Sequence, residues 1–91
     1  MASNVIKNPN PYRYRDAKEK TTYKVKTVNS YGMALVITQY NFWAVHYDSN
    51  STNVVNITNL PNQHTLTATY DGTELTLTDN ATLWGGITVY Q

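Results

Sequence analysis

Two histidines, six side-chain carboxylates and four serines are the residues of this 91-residue chain with the chemistry to act on a substrate or hold a metal. His46 and His64 are the imidazoles, and a histidine metal site needs further ligands at ligand spacing. The chain has no cysteine, and no carboxylate stands at such a spacing, so no metal site is expected. His46 falls on an apolar strand face and reads as a hydrogen-bonded core histidine. His64 falls at a strand edge and reads as a surface residue. Asp48-Ser49-Asn50-Ser51-Thr52 has the texture of an oxygen-rich calcium loop, but the glycine and glutamate that complete such a loop are missing. It reads as an ordinary polar turn. Ser3, Ser30, Ser49 and Ser51 lie in the N-terminal segment or in turns, and none sits in a Gly-x-Ser-x-Gly elbow. The carboxylates fall in turns or on a solvent face, which gives no acid–base pair. The expectation is a chain without catalytic residues and without a cofactor.

Residues suited to recognition are better represented. Trp43, Trp84, Tyr31, Tyr40 and Tyr47 exceed what a small core can absorb, and a subunit contact is one use for them. A platform for sugar rings is the other. Aromatic rings cover the apolar faces of a sugar while amides and carboxylates bind its hydroxyls. Tyr31, Tyr40, Asn41, Asp48 and Asn50 are the candidate ligand-binding residues on that reading. Asn50-Ser51-Thr52, Asn56-Ile57-Thr58 and Asn80-Ala81-Thr82 match the N-glycosylation pattern. With eleven Asn and eighteen Ser plus Thr in the chain, such matches arise by chance and carry no weight.

Charge is divided along the chain. All seven basic residues lie at or before Lys26, where the net charge is +5, and the remainder carries −4. Tyr12-Arg13-Tyr14-Arg15, followed by Lys18, forms a docking segment. Arg forks hydrogen bonds and stacks, and Tyr is enriched at protein contacts. An acidic protein surface suits it better than nucleic acid, which the acidic remainder would repel. Asn8-Pro9-Asn10-Pro11 breaks regular structure, so residues 1–20 read as an irregular arm that is dispensable for folding. Met1–Asn10 lacks the apolar core of a signal peptide. No run approaches the ~20 apolar residues of a membrane span.

Residues 21–91 read as an all-β domain. Thr21–Asn29 alternates, with Tyr23, Val25 and Thr27 facing inward. Met33–Tyr40 and Phe42–Asp48 form a hairpin about Tyr40-Asn41. One of its faces holds Ala34, Val36, Trp43, Val45 and Tyr47. The other holds Leu35, Ile37, Phe42, Ala44 and His46. Both are apolar, which predicts burial on both sides. Asn53–Thr58 is a short strand, and Asn59–Gln63 turns at Pro61. His64–Thr78 is a hairpin about Asp71-Gly72, read as a type I′ turn that sets Tyr70 opposite Thr73 and Leu66 opposite Leu77. Leu83–Tyr90 is the last strand, with Gly85-Gly86 as a bulge. About seven short strands with frequent turn signals predict an antiparallel β-sandwich or jelly-roll-like domain.

A core this small, without disulfides, favours a homo-oligomer, with a trimer preferred. A basic, Pro-broken arm before a Thr/Asn/Tyr-rich, cysteine-free β domain resembles small structural proteins of tailed bacteriophages: head fibres, decoration proteins and fibre tips. Gly32-Met-Ala-Leu-Val-Ile-Thr and Leu83-Trp-Gly-Gly-Ile-Thr-Val-Tyr have the texture of their strands. The resemblance implies a virion location, docking on a capsid or tail at one end, and exposure of the other end, including to host-surface glycans. Cytoplasmic or cell-surface placement is the alternative location. A carbohydrate-binding, lectin-like module is the alternative function.

Overall fold

Side chains alternate across each strand, and that alternation builds two sheets with a shared interior. The computed structural model describes residues 11–14, 21–58, 64–81 and 86–91. Among these are eight strands and no helix: β1 (Tyr12–Tyr14), β2 (Thr22–Lys26), β3 (Gly32–Thr38), β4 (Phe42–Tyr47), β5 (Thr52–Asn56), β6 (Leu66–Tyr70), β7 (Glu74–Asp79) and β8 (Ile87–Tyr90). They form a five-stranded sheet in the order β1-β8-β3-β4-β5 and a three-stranded sheet in the order β2-β7-β6. Every ladder is antiparallel. The protein is a small β-sandwich. No helix among the described residues is long and apolar enough to cross a membrane.

The interior is filled from both sheets. Tyr23, Val25, Leu66, Leu75 and Leu77 come from the three-stranded sheet. Ala34, Val36, Trp43, Val45, Tyr47, Ile87 and Val89 come from the other. Trp43 and Tyr23 are the largest of the fully buried side chains. The two sheets are joined at their rims. Thr52 Oγ1 donates to the Ala68 carbonyl at 2.7 Å, linking β5 to β6. Gln91 Nε2 donates to the Lys26 carbonyl at 2.7 Å, and its Oε1 accepts from the Val28 N–H at 3.1 Å.

Three expectations are corrected. First, residues 12–14 of the segment read as an irregular arm are β1, which pairs with β8 through Tyr12↔Val89 and Tyr14↔Ile87. Tyr12 and Tyr14 are half-buried against the core, and Tyr14 meets Tyr23 edge-on at 5.8 Å. A Tyr-Arg-Tyr alternation is too short to show as a strand until a neighbour pairs with it. Residues 1–10 and 15–20, and with them Arg15 and Lys18, lie outside the described residues, as do the turn at Pro61 and the start of the last strand at Leu83–Gly85.

Second, the β6–β7 register is two residues away from the expected one: Tyr70 faces Leu75 and Leu66 faces Asp79. The Asp71 N–H donates to the Glu74 carbonyl at 3.3 Å, so Gly72 and Thr73 form the tip. Gly72 alone carries the positive φ there, at 101°. The cause is the Asp71 side chain. Its Oδ1 accepts from the N–H of Thr73 at 2.9 Å and of Glu74 at 2.7 Å, holding Asp71 itself at negative φ. A two-residue shift preserves parity, so the leucines stay inside.

Third, the β3–β4 hairpin buries one face only. The tip lies at Gln39-Tyr40, closed by the Thr38 N–H to the Asn41 carbonyl at 2.9 Å. Ala34, Val36, Trp43, Val45 and Tyr47 are buried. The opposite face stays open in the single chain: Met33 is 38% and Ile37 36% exposed.

Candidate functional site

The residues expected to form a sugar platform are divided between the two ends of the β3–β4 hairpin. Tyr31 precedes β3 and is 68% exposed. Asp48 and Asn50 follow β4 at the same end. Tyr40 and Asn41 lie at the opposite tip. Seven residues of β3 intervene, and strand rise makes the separation about 23 Å. No single ring-sized ligand spans both groups.

At the first end, Asp48 Oδ1 accepts from the Asn50 N–H at 2.8 Å, the Ser51 N–H at 2.9 Å and the Ser51 hydroxyl at 3.4 Å. The Asn50 and Ser51 amides hold the carboxyl below its ordinary value. The carboxylate is thus organised as a turn. Among the described residues there is no cluster of three or more His, Cys, Asp or Glu placed to hold a metal.

At the other end Asn41 is buried and tied into the fold. Its Nδ2 donates to Asn56 Oδ1 at 3.2 Å and to Thr58 Oγ1 at 3.3 Å, while its Oδ1 accepts from the His64 N–H at 2.7 Å. Tyr40 stacks on His64, with ring centroids 4.0 Å apart and planes 15° apart. His64 Nδ1 lies 2.6 Å from Asp79 Oδ1, and the Asp79 side chain is fully buried. Asp79 Oδ1 also accepts from the Ala81 N–H at 2.9 Å, while Oδ2 has no hydrogen-bond partner among the described residues. The same carboxylate adds to the burial that pushes the Tyr23 phenol up to about 12.

This cluster was missed from sequence. His64, expected at the surface, has a side chain only 15% exposed. His46, expected in the core, is exposed on the open face of the five-stranded sheet. The missed signal is parity. Asp79 is in phase with Leu75 and Leu77, so its carboxylate had to point inward and find a partner. An Asp–His pair orients one imidazole nitrogen, as a nucleophilic triad requires. Among the described residues, however, no hydroxyl bonds to the other nitrogen, and Tyr40 covers the ring face. The cluster acts as a clasp joining the β3–β4 tip, the approach to β6 and the end of β7.

Of the docking segment, Tyr12, Arg13 and Tyr14 lie on β1, with Arg13 turned to the outer face. Burial raises the Tyr12 phenol, with the neighbouring Tyr14 adding to it. A cleft of about 470 Å³ opens beside Arg13 and is lined also by Thr38, Gln39, Ile37, Ile87 and Thr88.

No protein-family model, no curated protein and no solved structure matches the chain.

Proposed function

We propose that the chain is a non-enzymatic structural domain that works by assembly. In the setting the sequence resemblance implies, it is a component of a virion appendage, displayed for host-surface attachment. Copies associate through the outer face of the five-stranded sheet, and the basic N-terminal segment docks on a larger partner.

The observation that carries this reading is the composition of that outer face. The registers set Tyr90, Leu35, Ala44 and Val55 side by side in one row. The next row is Thr88, Ile37, Phe42 and Ile57. Val55 is 50% and Ile57 55% exposed. No Lys, Asp or Glu interrupts either row, and Arg13 stands at the rim beside Thr88. A contiguous apolar patch of this kind marks a contact surface. A second copy is the occupant favoured, because a neutral face meets its own image without like-charge repulsion. A three-fold arrangement is preferred.

Light scattering at high micromolar concentration is expected to give a mass near three times the 10.3 kDa chain. A mass of one chain under those conditions overturns the assembly reading. The paired variant Ile37→Thr/Ile57→Thr is expected to release monomer while keeping the β spectrum.

A further inference from the structure

We infer that the cleft beside β1 binds a small hydroxylated carboxylic acid of about monosaccharide size, its carboxylate on Arg13 and its hydroxyls on Gln39 and Thr88. The cleft shares Ile37 and Thr88 with the second apolar row, and its described lining comes from one chain, so the inference does not depend on the assembly.

The sheet register builds the site. Arg13 of β1 is paired with Thr88 of β8, and Thr88 with Ile37 of β3. These three side chains share the outer face in one row two strand spacings wide, or about 10 Å. The row ends where β3 turns through Thr38 and Gln39 and where Gly86 leads into β8, and the cleft occupies that corner. Its volume of about 470 Å³ has room for a ligand of monosaccharide size.

Arg13, Gln39 and Thr88 make no side-chain hydrogen bond or ion pair with the described residues. Thr38 is different, because its Oγ1 already accepts from the Tyr40 and Asn41 N–H groups. The Arg13 guanidinium is a planar fork of donors matched to a carboxylate, with no acidic side chain among the described residues of the cleft wall. Gln39 offers both a donor and an acceptor, and the Thr88 hydroxyl can serve as either. Ile37, 36% exposed, supplies apolar contact for the carbon face of the ligand. One cation, two adaptable hydroxyl partners and an apolar floor select a carboxylate over a neutral sugar, and a hydroxylated carboxylate over a bare one.

The test is titration of the full chain, labelled with ¹⁵N, with glucuronate, glucose, acetate and glucose 6-phosphate in turn. Glucuronate is expected to move the Arg13 Nε–H, Gln39 side-chain and Thr88 amide resonances, with an affinity in the millimolar range and tighter than the other three. Arg13→Gln, a change on an exposed edge residue, is expected to weaken glucuronate binding at least about tenfold, the usual loss for a charged hydrogen bond. Thr88→Val is expected to weaken glucuronate while leaving acetate unchanged. Equal binding of acetate and glucuronate overturns the hydroxyl contacts. Tighter binding of the phosphate overturns the carboxylate assignment. Shifts confined to other parts of the sandwich, or absent with all four probes, overturn the site.

Discussion

Each sheet has an outer face, and the two are built from different residues. On the three-stranded sheet the registers set Thr22, Thr78 and Thr67 in one row and Lys24, Thr76 and Thr69 in the next, with Lys26 opposite Glu74. On the five-stranded sheet the corresponding rows are Tyr90-Leu35-Ala44-Val55 and Thr88-Ile37-Phe42-Ile57. Both faces rest on the same interior, so folding does not require them to differ. Threonine and lysine suit a strand face in water. An aliphatic row there lowers solubility and gives the single chain nothing in return. The difference separates the residues that hold the sandwich together from those left on an open face, and the proposed association rests on it.

The largest effect should come from the layer the two faces share. Trp43→Ala removes the largest buried side chain and should cost about 3–5 kcal/mol, unfolding a domain this small at modest urea concentration. A smaller loss would mean that the interior tolerates collapse at that point.

Asp79→Ala comes next. It removes the partner of His64 Nδ1 and the acceptor of the Ala81 N–H and should cost about 2–3 kcal/mol. Thermal unfolding checks this. A neutral outcome would mean that the orphaned Oδ2 already offsets what Oδ1 contributes.

The comparison itself is tested by matched pairs of surface variants. Ile37→Thr/Ile57→Thr should change the stability of the single chain by less than about 1 kcal/mol while reducing its mass in solution. Thr69→Ala/Thr76→Ala on the other sheet should alter neither beyond about 0.5 kcal/mol. If both pairs leave the mass unchanged, the two faces are equivalent and the apolar rows have no partner.

The smallest effect belongs to Asp71. The amides of Thr73 and Glu74 hold its carboxyl below the ordinary 3.8. As pH falls the unfolded chain takes up this proton first, so the stabilisation present above that value is lost as pH drops through it and below. Asp71→Asn keeps the oxygen acceptor but not the charge. Its melting temperature should fall less steeply below about pH 4 than that of the parent chain. Identical acid limbs would show that the turn does not depend on ionised Asp71.

Much of the β domain was legible because side-chain alternation is local. Ala34, Val36, Trp43, Val45 and Tyr47 share a face whatever the turn does, and so do Leu75 and Leu77. The expected hairpin about Asp71-Gly72 was displaced at its tip, yet the leucines stayed inside, since the displacement was an even number of residues. The candidate site was less legible. Tyr31 and Tyr40 both read as loop aromatics, and nothing local reveals that seven strand residues hold them at opposite ends. His46 and His64 exchanged their expected environments. His46 sits on a face whose fate depended on the other sheet, and His64 precedes a strand whose partner brings Asp79.

The sequence by itself therefore determined parity: which residues of the strands after Thr21 share a face, and that the result is all-β. That follows from a two-residue period and turn-forming residues acting over a few positions. Only the tertiary structure decided which of two apolar faces on β3 and β4 is covered, that Tyr12–Tyr14 joins β8 across most of the chain, and that Arg13 meets Thr88 beside a cleft. Those outcomes depend on sheet order and on pairings between distant segments. Such pairings form by closing long loops and burying surface jointly, and neither partner carries that information in its own alternation.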